Sequence, residues 1–380
     1  MIYLDHNATT PVDERVLQAM LPFFSDFYGN PSSLYKLARL SRSAIDTARE
    51  QVAQLVRVRP EQVIFTSGGT EANNLALKGC MPTVSAAAFL DRSVAYEMPY
   101  LSNYCTSILS SEFEHPSILQ SGHAKLVNIT ERGYIDQQAL SIMLNQKFDL
   151  ASFMLVNNET GVIQDIAGIS ALVKQQGVLV HTDAVQAAGK IAIDFQALGV
   201  DLMSLSSHKI YGPKGAGALI TATEHLTAPL LTGGAQEGGL RAGTENVPAI
   251  VGFGKAAELA YSELGQRQQH CLQLRIYLEK HLLDLPGISV FAQDSNRVAN
   301  TVQFGAQDCI GEMLLMQLDK QGIAVSSGSA CASGEHSASH VLMAMGIEEN
   351  LAKSAIRVSL GQENTVEEID FFVQKLSKIV

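Results

Sequence analysis

The 380-residue sequence lacks the features that mark membrane, secreted or nucleic-acid-binding proteins. It has no run of about 18 apolar residues, which a membrane-spanning helix needs. Its N-terminus has no basic segment followed by an apolar one, which a secretory signal needs. Basic runs are also missing, and 27 Lys and Arg against 38 Asp and Glu give a formal net charge of −11. This balance argues against a direct nucleic-acid or anionic-membrane surface, which would require clustered positive charge.

Cysteine is scarce as well. The five cysteines are odd in number, scattered and without a C-x-x-C pair: Cys80, Cys105, Cys271, Cys309 and Cys331. Such a pattern provides neither a disulfide framework nor a zinc ribbon. We therefore expect a protein of the reducing cytoplasm without a metal site.

The apolar pattern predicts an α/β fold. Short apolar strands alternate with helical segments from about residue 40 to 220, which predicts a mostly parallel central sheet covered by helices. Beyond that, a long amphipathic helix at 255–283, further strands and a final helix predict a smaller α+β domain. The length calls for two domains. We predict a large domain at 15–255 and a small domain made of 1–14 with 256–380.

Polar residues follow three of the predicted strands, at the sheet edge where ligands of open α/β sheets bind. After the strand at 63–65, the segment Thr66-Ser67-Gly68-Gly69-Thr70 opens a helix. Its backbone N–H groups favour an anion such as phosphate, although a plain helix cap would have the same composition. Asp183 follows the strand that ends at His181. It either caps the next helix or keeps a cationic ring nitrogen protonated.

Lys209 follows the third strand, directly after Ser207-His208. A lysine at the end of an apolar strand is unusual, and a desolvated lysine has the depressed pKa that attack on an aldehyde requires. The alternative is a lysine at the rim that pairs with a carboxylate. The segment taken alone leaves both open.

The order of anion cradle, carboxylate and lysine, with Glu114-His115 between the first two, resembles that of fold-type-I enzymes that use pyridoxal 5′-phosphate (PLP). A closer resemblance is to cysteine desulfurases of the NifS/IscS type, in their group I form, within the class V aminotransferases. The matching segments run through nearly the whole chain in the family's order. They are residues 3–11, 28–32, 65–71, 156–161, 181–186, 207–215, 240–246, 325–331 and 356–361.

This resemblance implies a role for each residue around the cofactor. Lys209 holds PLP as a Schiff base and later removes the α-proton of the substrate. Asp183 pairs with the pyridinium nitrogen and makes the ring a better electron sink. Gln186 bonds the ring hydroxyl, and His115 stacks on the ring and moves protons. The positions that hold the phosphate are Gly69, Thr70, Ser206 and His208.

The resemblance also implies contacts beyond the ring. Arg357 grips the substrate carboxylate, a task suited to a bidentate guanidinium, and Asn157 contacts both cofactor and substrate. Thr244 matches a residue that reaches the phosphate of the other subunit's cofactor, which implies a homodimer.

Cys331 lies among small polar residues at 326–334, an accessible setting. Most lone cysteines are buried and inert, which is our interpretation of Cys80, Cys271 and Cys309. The resemblance implies that the Cys331 thiolate attacks the sulfur of L-cysteine. The products are L-alanine and a persulfide on Cys331, which passes to a sulfur-acceptor protein.

Two other kinds of function stay open at this point. One is a different fold-type-I PLP enzyme, such as an aminotransferase or selenocysteine lyase; an aminotransferase would not need Cys331. The other is an idle homologue that acts as a scaffold, although the residues whose loss would mark it are all present.

Two features depart from the family. The connection between Gly79 and Glu114 is longer than the family's, and we treat residues 80–113 as a long connection or insertion. The chain ends at Val380, soon after the last predicted helix, where the housekeeping iron–sulfur enzymes carry a longer tail. The acceptor pathway therefore stays open between iron–sulfur cluster assembly, tRNA thiolation and another thiolation route.

Overall fold

The computed structural model describes residues 1–80, 107–121, 124–222, 228–327 and 338–380. Among these residues, every helix is too short or too polar to cross a membrane.

A seven-stranded sheet lies at the centre of the larger part of the molecule, in the order β2-β8-β7-β6-β5-β3-β4. Strands β3 to β7 run parallel, and β8 is antiparallel to both β7 and β2. Its strands are β2 (Val63–Thr66), β3 (Ile108–Ser111), β4 (Ala124–Val127), β5 (Leu150–Met154), β6 (Leu179–Asp183), β7 (Leu202–Ser206) and β8 (Gly217–Thr221). The prediction of a mostly parallel sheet is confirmed.

Helices cover both faces of this sheet. They are α1 (Glu14–Met20), α2 (Pro22–Ser25), α3 (Lys36–Val56), α4 (Gly69–Gly79), α5 (Pro116–Leu119), α6 (Gln137–Met143), α7 (Ile166–Lys174), α8 (Phe195–Leu198) and α9 (Val247–Ser262). Side chains alternate along a strand, so Ile64 of β2 packs with α4 on one face and Phe65 packs with α3 and α9 on the other. A Cβ on Gly254 would lie 2.5 Å from Ala48 Cα, so glycine allows α9 to approach α3 closely.

A smaller part has its own sheet and core. Its antiparallel sheet has the order β12 (Ser326–Ser327), β13 (Ile356–Ser359), β10 (Thr301–Ala306) and β9 (Ile288–Val290), and β1 (Ile2–Tyr3) pairs in parallel with β11 (Ile323–Ala324). Its helices are α10 (Leu264–Leu283), α11 (Gly311–Lys320), α12 (His340–Ala344), α13 (Glu349–Lys353) and α14 (Val366–Leu376). Leu4, Leu278, Phe304 and Phe372 share a buried core there. This core supports the predicted small domain, whose boundaries remain a prediction.

Two elements differ from the sequence-based expectation. The single helix predicted at 255–283 is two helices that meet at Glu263 (φ −102°, ψ 5°). The bend follows from packing, because α9 lies on α3 while α10 lies on α14. Strand β3 lies within residues 80–113, which the sequence predicts to be a long connection. Only two of its four residues are apolar, which is too few to indicate a strand. The strand forms because it pairs with β4 and β5. Residues 81–106 lie outside the described residues.

Candidate active site

A cavity of about 510 Å³ opens at the carboxyl ends of the parallel strands. Loops after β2, β3, β5, β6 and β7 contribute to its wall, as expected for an open α/β sheet, and β13 of the small sheet contributes Arg357. The structure brings nine of the predicted site residues together here: Gly69, Thr70, His115, Asp183, Gln186, Ser206, His208, Lys209 and Arg357.

Lys209 ends a short 3-10 turn (Ser207–Lys209) that directly follows β7. Its Nζ donates hydrogen bonds to the backbone carbonyls of Asn7 and Ala8, both at 2.6 Å. The N-terminal segment therefore closes one wall of the cavity and fixes the position of the lysine nitrogen.

Asp183 is the last residue of β6 and is buried. Its Oδ1 accepts the backbone N–H of Val185 at 2.9 Å, and its Oδ2 accepts from Asn73 Nδ2 at 2.7 Å. Asn73 also donates to Ser117 Oγ at 2.9 Å. Two donors thus hold the carboxylate in one orientation at the cavity wall.

Asn73 is a further residue of the site that the sequence motifs did not indicate. Its Oδ1 is buried and has no hydrogen-bond partner within the described residues, although the residue lines the cavity. An asparagine between the buried Ala72 and Leu75 of α4 was the available signal, since a polar side chain on the buried face of a helix needs a partner.

The part of the cavity that borders α4 suits an anion. Helix α4 begins there with Gly69 and Thr70, so its first backbone N–H groups and positive dipole end border the space. The buried Ser206 Oγ has no partner within the described residues. Burial lowers the pKa of His208 to about 4, and the charges of Lys209 and Lys214 add to this effect. His208 is therefore neutral at pH 7.

His115 caps the N-terminus of α5, and its Nδ1 accepts the backbone N–H of Ser117 at 3.1 Å. Burial lowers its pKa, although the Asp183 carboxylate opposes the shift. A neutral imidazole whose Nδ1 accepts must carry its proton on Nε2. His115 is therefore placed to give or take a proton through that atom.

Glu114, next to His115, is fully buried in the cavity wall. Its Oε1 accepts the backbone N–H of Met154 at 3.0 Å and the hydroxyl of Ser111, whereas its Oε2 has no partner within the described residues. Burial raises the pKa of this carboxyl to about 8, opposed by the two hydrogen bonds and assisted by Asp183. Glu114 is thus protonated near neutral pH.

Replacing Glu114 with glutamine is expected to raise the melting temperature at pH 8 by a few degrees and to flatten its decline from pH 5 to 8. The unfolded glutamate ionises near pH 4.5, while the folded one keeps its proton to about pH 8. Stability is therefore lost as pH rises through this window. Calorimetry at both pH values measures the effect. The exposed Glu61→Gln is the matched control, and an equal pH slope in all three proteins would contradict the assignment.

Arg357 is almost fully buried and reaches the cavity from the small sheet. Its Nη2 donates to Asp5 Oδ1 at 2.7 Å and its Nη1 to the carbonyl of Asn158 at 3.0 Å. Its buried Nε has no partner within the described residues. The guanidinium is therefore held in place with donor capacity left for a carboxylate.

Three predicted residues are not in this wall. The Asn157 side chain closes a turn, where its Oδ1 accepts the N–H groups of Glu159 and Thr160, so its predicted contact with cofactor and substrate stays a prediction. Thr244 is exposed on a loop and is not among the described residues that line the cavity. Cys331 lies outside the described residues.

The family model described as aminotransferase class-V matches residues 2–372. The chain belongs to the class-V aminotransferase family. Its relatives include the cysteine desulfurase IscS of Dictyoglomus turgidum, 39% identical over 391 aligned residues that cover all of this chain and 94% of that relative. This member is a PLP-dependent enzyme of the cysteine desulfurase type, so the predicted family, cofactor and enzyme class are confirmed.

Solved structures agree with this class-V assignment. The NifS-like protein from Rickettsia africae has a TM-score of 0.87 and 34% identity, over 100% of this chain and 99% of that one. A structure of SspA in complex with cysteine has a TM-score of 0.79 and 30% identity, over 96% of this chain and 100% of that one. The predicted fold class is confirmed.

The residues present fit the family's cofactor. PLP has an anionic phosphate, a ring nitrogen that becomes cationic and an aldehyde that reacts with an amine. The cavity offers an α-helix N-terminus beside the Ser206 hydroxyl, the Asp183 carboxylate, and the amine of Lys209. The donor set therefore matches the three polar ends of PLP.

Proposed function

We propose that this enzyme removes sulfur from L-cysteine, releases L-alanine and passes the sulfur on through a persulfide at Cys331. The carbon–sulfur bond of the substrate breaks, a sulfur–sulfur bond forms at Cys331 Sγ, and the carbon that loses sulfur gains a proton. The observation that carries this proposal is the convergence of Lys209, Asp183 and Arg357 on one cavity. The similar SspA structure in complex with cysteine supports the choice of substrate.

Each residue of the cavity has a distinct task in this proposal. PLP, when bound, supplies an electron sink that allows the substrate α-proton to leave. Lys209 Nζ takes and returns that proton. Asp183, fixed by Asn73 and Val185, pairs with the positive ring nitrogen. His115, neutral with its proton on Nε2, exchanges protons with the departing sulfur.

Replacing Arg357 with alanine is expected to raise KM for L-cysteine on the order of 100-fold, because two hydrogen bonds to a carboxylate are lost. Arg357→Lys keeps the positive charge but loses the two parallel N–H donors of the guanidinium, so its KM should lie between those of the wild type and Arg357→Ala. Steady-state kinetics of the PLP-loaded enzyme measures both. The exposed Arg132→Ala is the control, and an unchanged KM in Arg357→Ala would remove Arg357 from substrate binding.

The enzyme is proposed to work as a homodimer. Thr244 lies on an exposed loop that the Arg241–Glu71 ion pair (3.0 Å) ties to α4, the helix that borders the phosphate end of the cavity. Exposed apolar residues on and around α1 to α3 offer a surface that a second copy would cover: Leu17, Leu21, Phe24, Tyr28, Leu34 and Tyr35. Light scattering should give the mass of two chains.

The acceptor is proposed to be a protein of iron–sulfur cluster assembly, tRNA thiolation or another thiolation pathway. Persulfide transfer requires a reduced Cys331 thiol, which favours the reducing cytoplasm. Among the described cysteines, Cys271 and Cys309 are free thiols, which supports such a compartment.

The test uses the purified PLP-loaded enzyme with sulfur-labelled L-cysteine and a thiol acceptor. Alanine should form in equal amount to the labelled sulfur released, and peptide mass spectrometry should find one extra sulfur on Cys331. Formation of a 2-oxo acid instead of alanine would show an aminotransferase. Absence of any cysteine turnover would overturn the proposal.

A further inference from the structure

We propose that Lys190 is a positioning residue for the cofactor: it holds the Gln186 side chain with the amide NH₂ group turned toward the Lys209 side of the site. This inference rests on the role of Gln186 in the proposed function, in which that NH₂ group bonds the ring oxygen of PLP.

Lys190 ends the turn that follows β6 and is half-buried. Its Nζ donates to Gln186 Oε1 at 2.5 Å and to Asn7 Oδ1 at 2.7 Å. An amine supplies at least two N–H donors in either protonation state, so both amide oxygens are satisfied.

These contacts decide which way the Gln186 amide faces. Its oxygen points to Lys190, so its nitrogen must point the other way, and Nε2 donates to the carbonyl of Asn7 at 2.9 Å. The same carbonyl accepts from Lys209 Nζ at 2.6 Å. The NH₂ group of Gln186 and the amine of Lys209 therefore converge on one atom at the cavity wall.

Asn7 is fixed independently of Lys190. Its Oδ1 also accepts from Asn300 Nδ2 at 3.0 Å, and its Nδ2 donates to Thr301 Oγ1 at 2.9 Å. Loss of Lys190 would therefore leave the Asn7 carbonyl in place and release the Gln186 amide to rotate. A rotated amide would present its oxygen to the anionic ring oxygen and repel it.

The charges around Lys190 fit a role inside the site. Burial lowers its pKa well below that of a solvated lysine, and the positive charges of Lys209 and Arg357 lower it further. From α10, Cys271 opposes that shift. The charge of Lys190 in turn assists burial in lowering the pKa of His6 to about 4. Burying the Lys190 amine near these cations costs free energy. Its hydrogen bonds to Gln186 and Asn7 give a reason for a lysine at this position.

The test compares the rate at which PLP leaves the holoenzyme during dialysis. Lys190→Met should release PLP about tenfold faster than the wild type, the effect of losing one hydrogen bond. The pH midpoint of the visible band of bound PLP should shift upward, because the ring oxygen loses a donor and holds the shared proton more tightly. Gln186→Met should release PLP at least as fast.

A double-mutant cycle isolates the coupling between the two residues. Adding Lys190→Met to Gln186→Met should change the release rate by less than about twofold, since Lys190 acts through Gln186. Lys190→Arg keeps a side chain that can only donate hydrogen bonds, and the adjoining cavity of about 40 Å³ has room for it. This variant should therefore release PLP about as slowly as the wild type. The half-exposed Lys174→Met, the same substitution at a lysine that does not line the cavity, is the control and should match the wild type.

Three results would overturn the inference. Additive effects in the double mutant would show that Lys190 acts through general stability. Wild-type release from Lys190→Met would show that Lys190 holds nothing the cofactor needs. Wild-type release from Gln186→Met would remove the role of Gln186 itself, whereas cysteine turnover by the wild-type enzyme would still uphold the desulfurase function.

Discussion

Replacing Lys209 with alanine is expected to lower the rate of alanine formation from L-cysteine by on the order of 10⁴-fold. The lysine nitrogen is proposed to attach PLP and to take the α-proton, and it has one fixed position beside Asn7 and Ala8. The visible absorbance of bound PLP should also disappear. Stopped-flow spectroscopy and an alanine assay measure the two effects.

Lys214 provides the matched control for this experiment, because it follows the same 3-10 turn but is exposed. Lys214→Ala should keep the visible band. Retention of both the band and full turnover in Lys209→Ala would assign the cofactor linkage to another lysine, and the half-buried Lys190 would be the first to examine.

Replacing Cys331 with alanine is expected to abolish persulfide formation and acceptor-dependent alanine release while the protein stays yellow with bound PLP. The residues proposed to contact the cofactor lie at the strand ends of the large sheet and on α4, so the substitution leaves them in place. Peptide mass spectrometry for the persulfide and the visible spectrum together separate loss of the nucleophile from loss of the cofactor.

The other thiols explain why this effect should be specific. Burial raises the pKa of Cys271 to about 11 and raises that of Cys309 as well, which leaves little thiolate at neutral pH. Cys309→Ala is therefore the matched control and should form the persulfide normally. Unchanged desulfuration in Cys331→Ala would show that another nucleophile receives the sulfur.

Much of the fold could be predicted because the signals are local. The parallel strands β5 to β7 are short, almost entirely buried and begin with apolar residues, and aspartates at N-caps mark where α6, α7 and α8 begin. Strand β3 and the break at Glu263 escaped prediction. Both depend on elements distant in sequence. Strand β3 needs β4 and β5 to pair with, and the break at Glu263 arises because α9 and α10 pack on different helices.

The sequence by itself determined the family, the cofactor and most of the residues that line the cavity at the strand ends, because the carboxyl ends of parallel strands lie on one edge in any sheet of this kind. Only the tertiary structure decided what holds those residues in place. Asn73 orients Asp183, Asp5 holds Arg357, and Lys190 turns the Gln186 amide. These partners are remote in sequence or lie on a buried helix face. Their roles depend on burial and on the direction of hydrogen bonds, and both arise only when the chain folds.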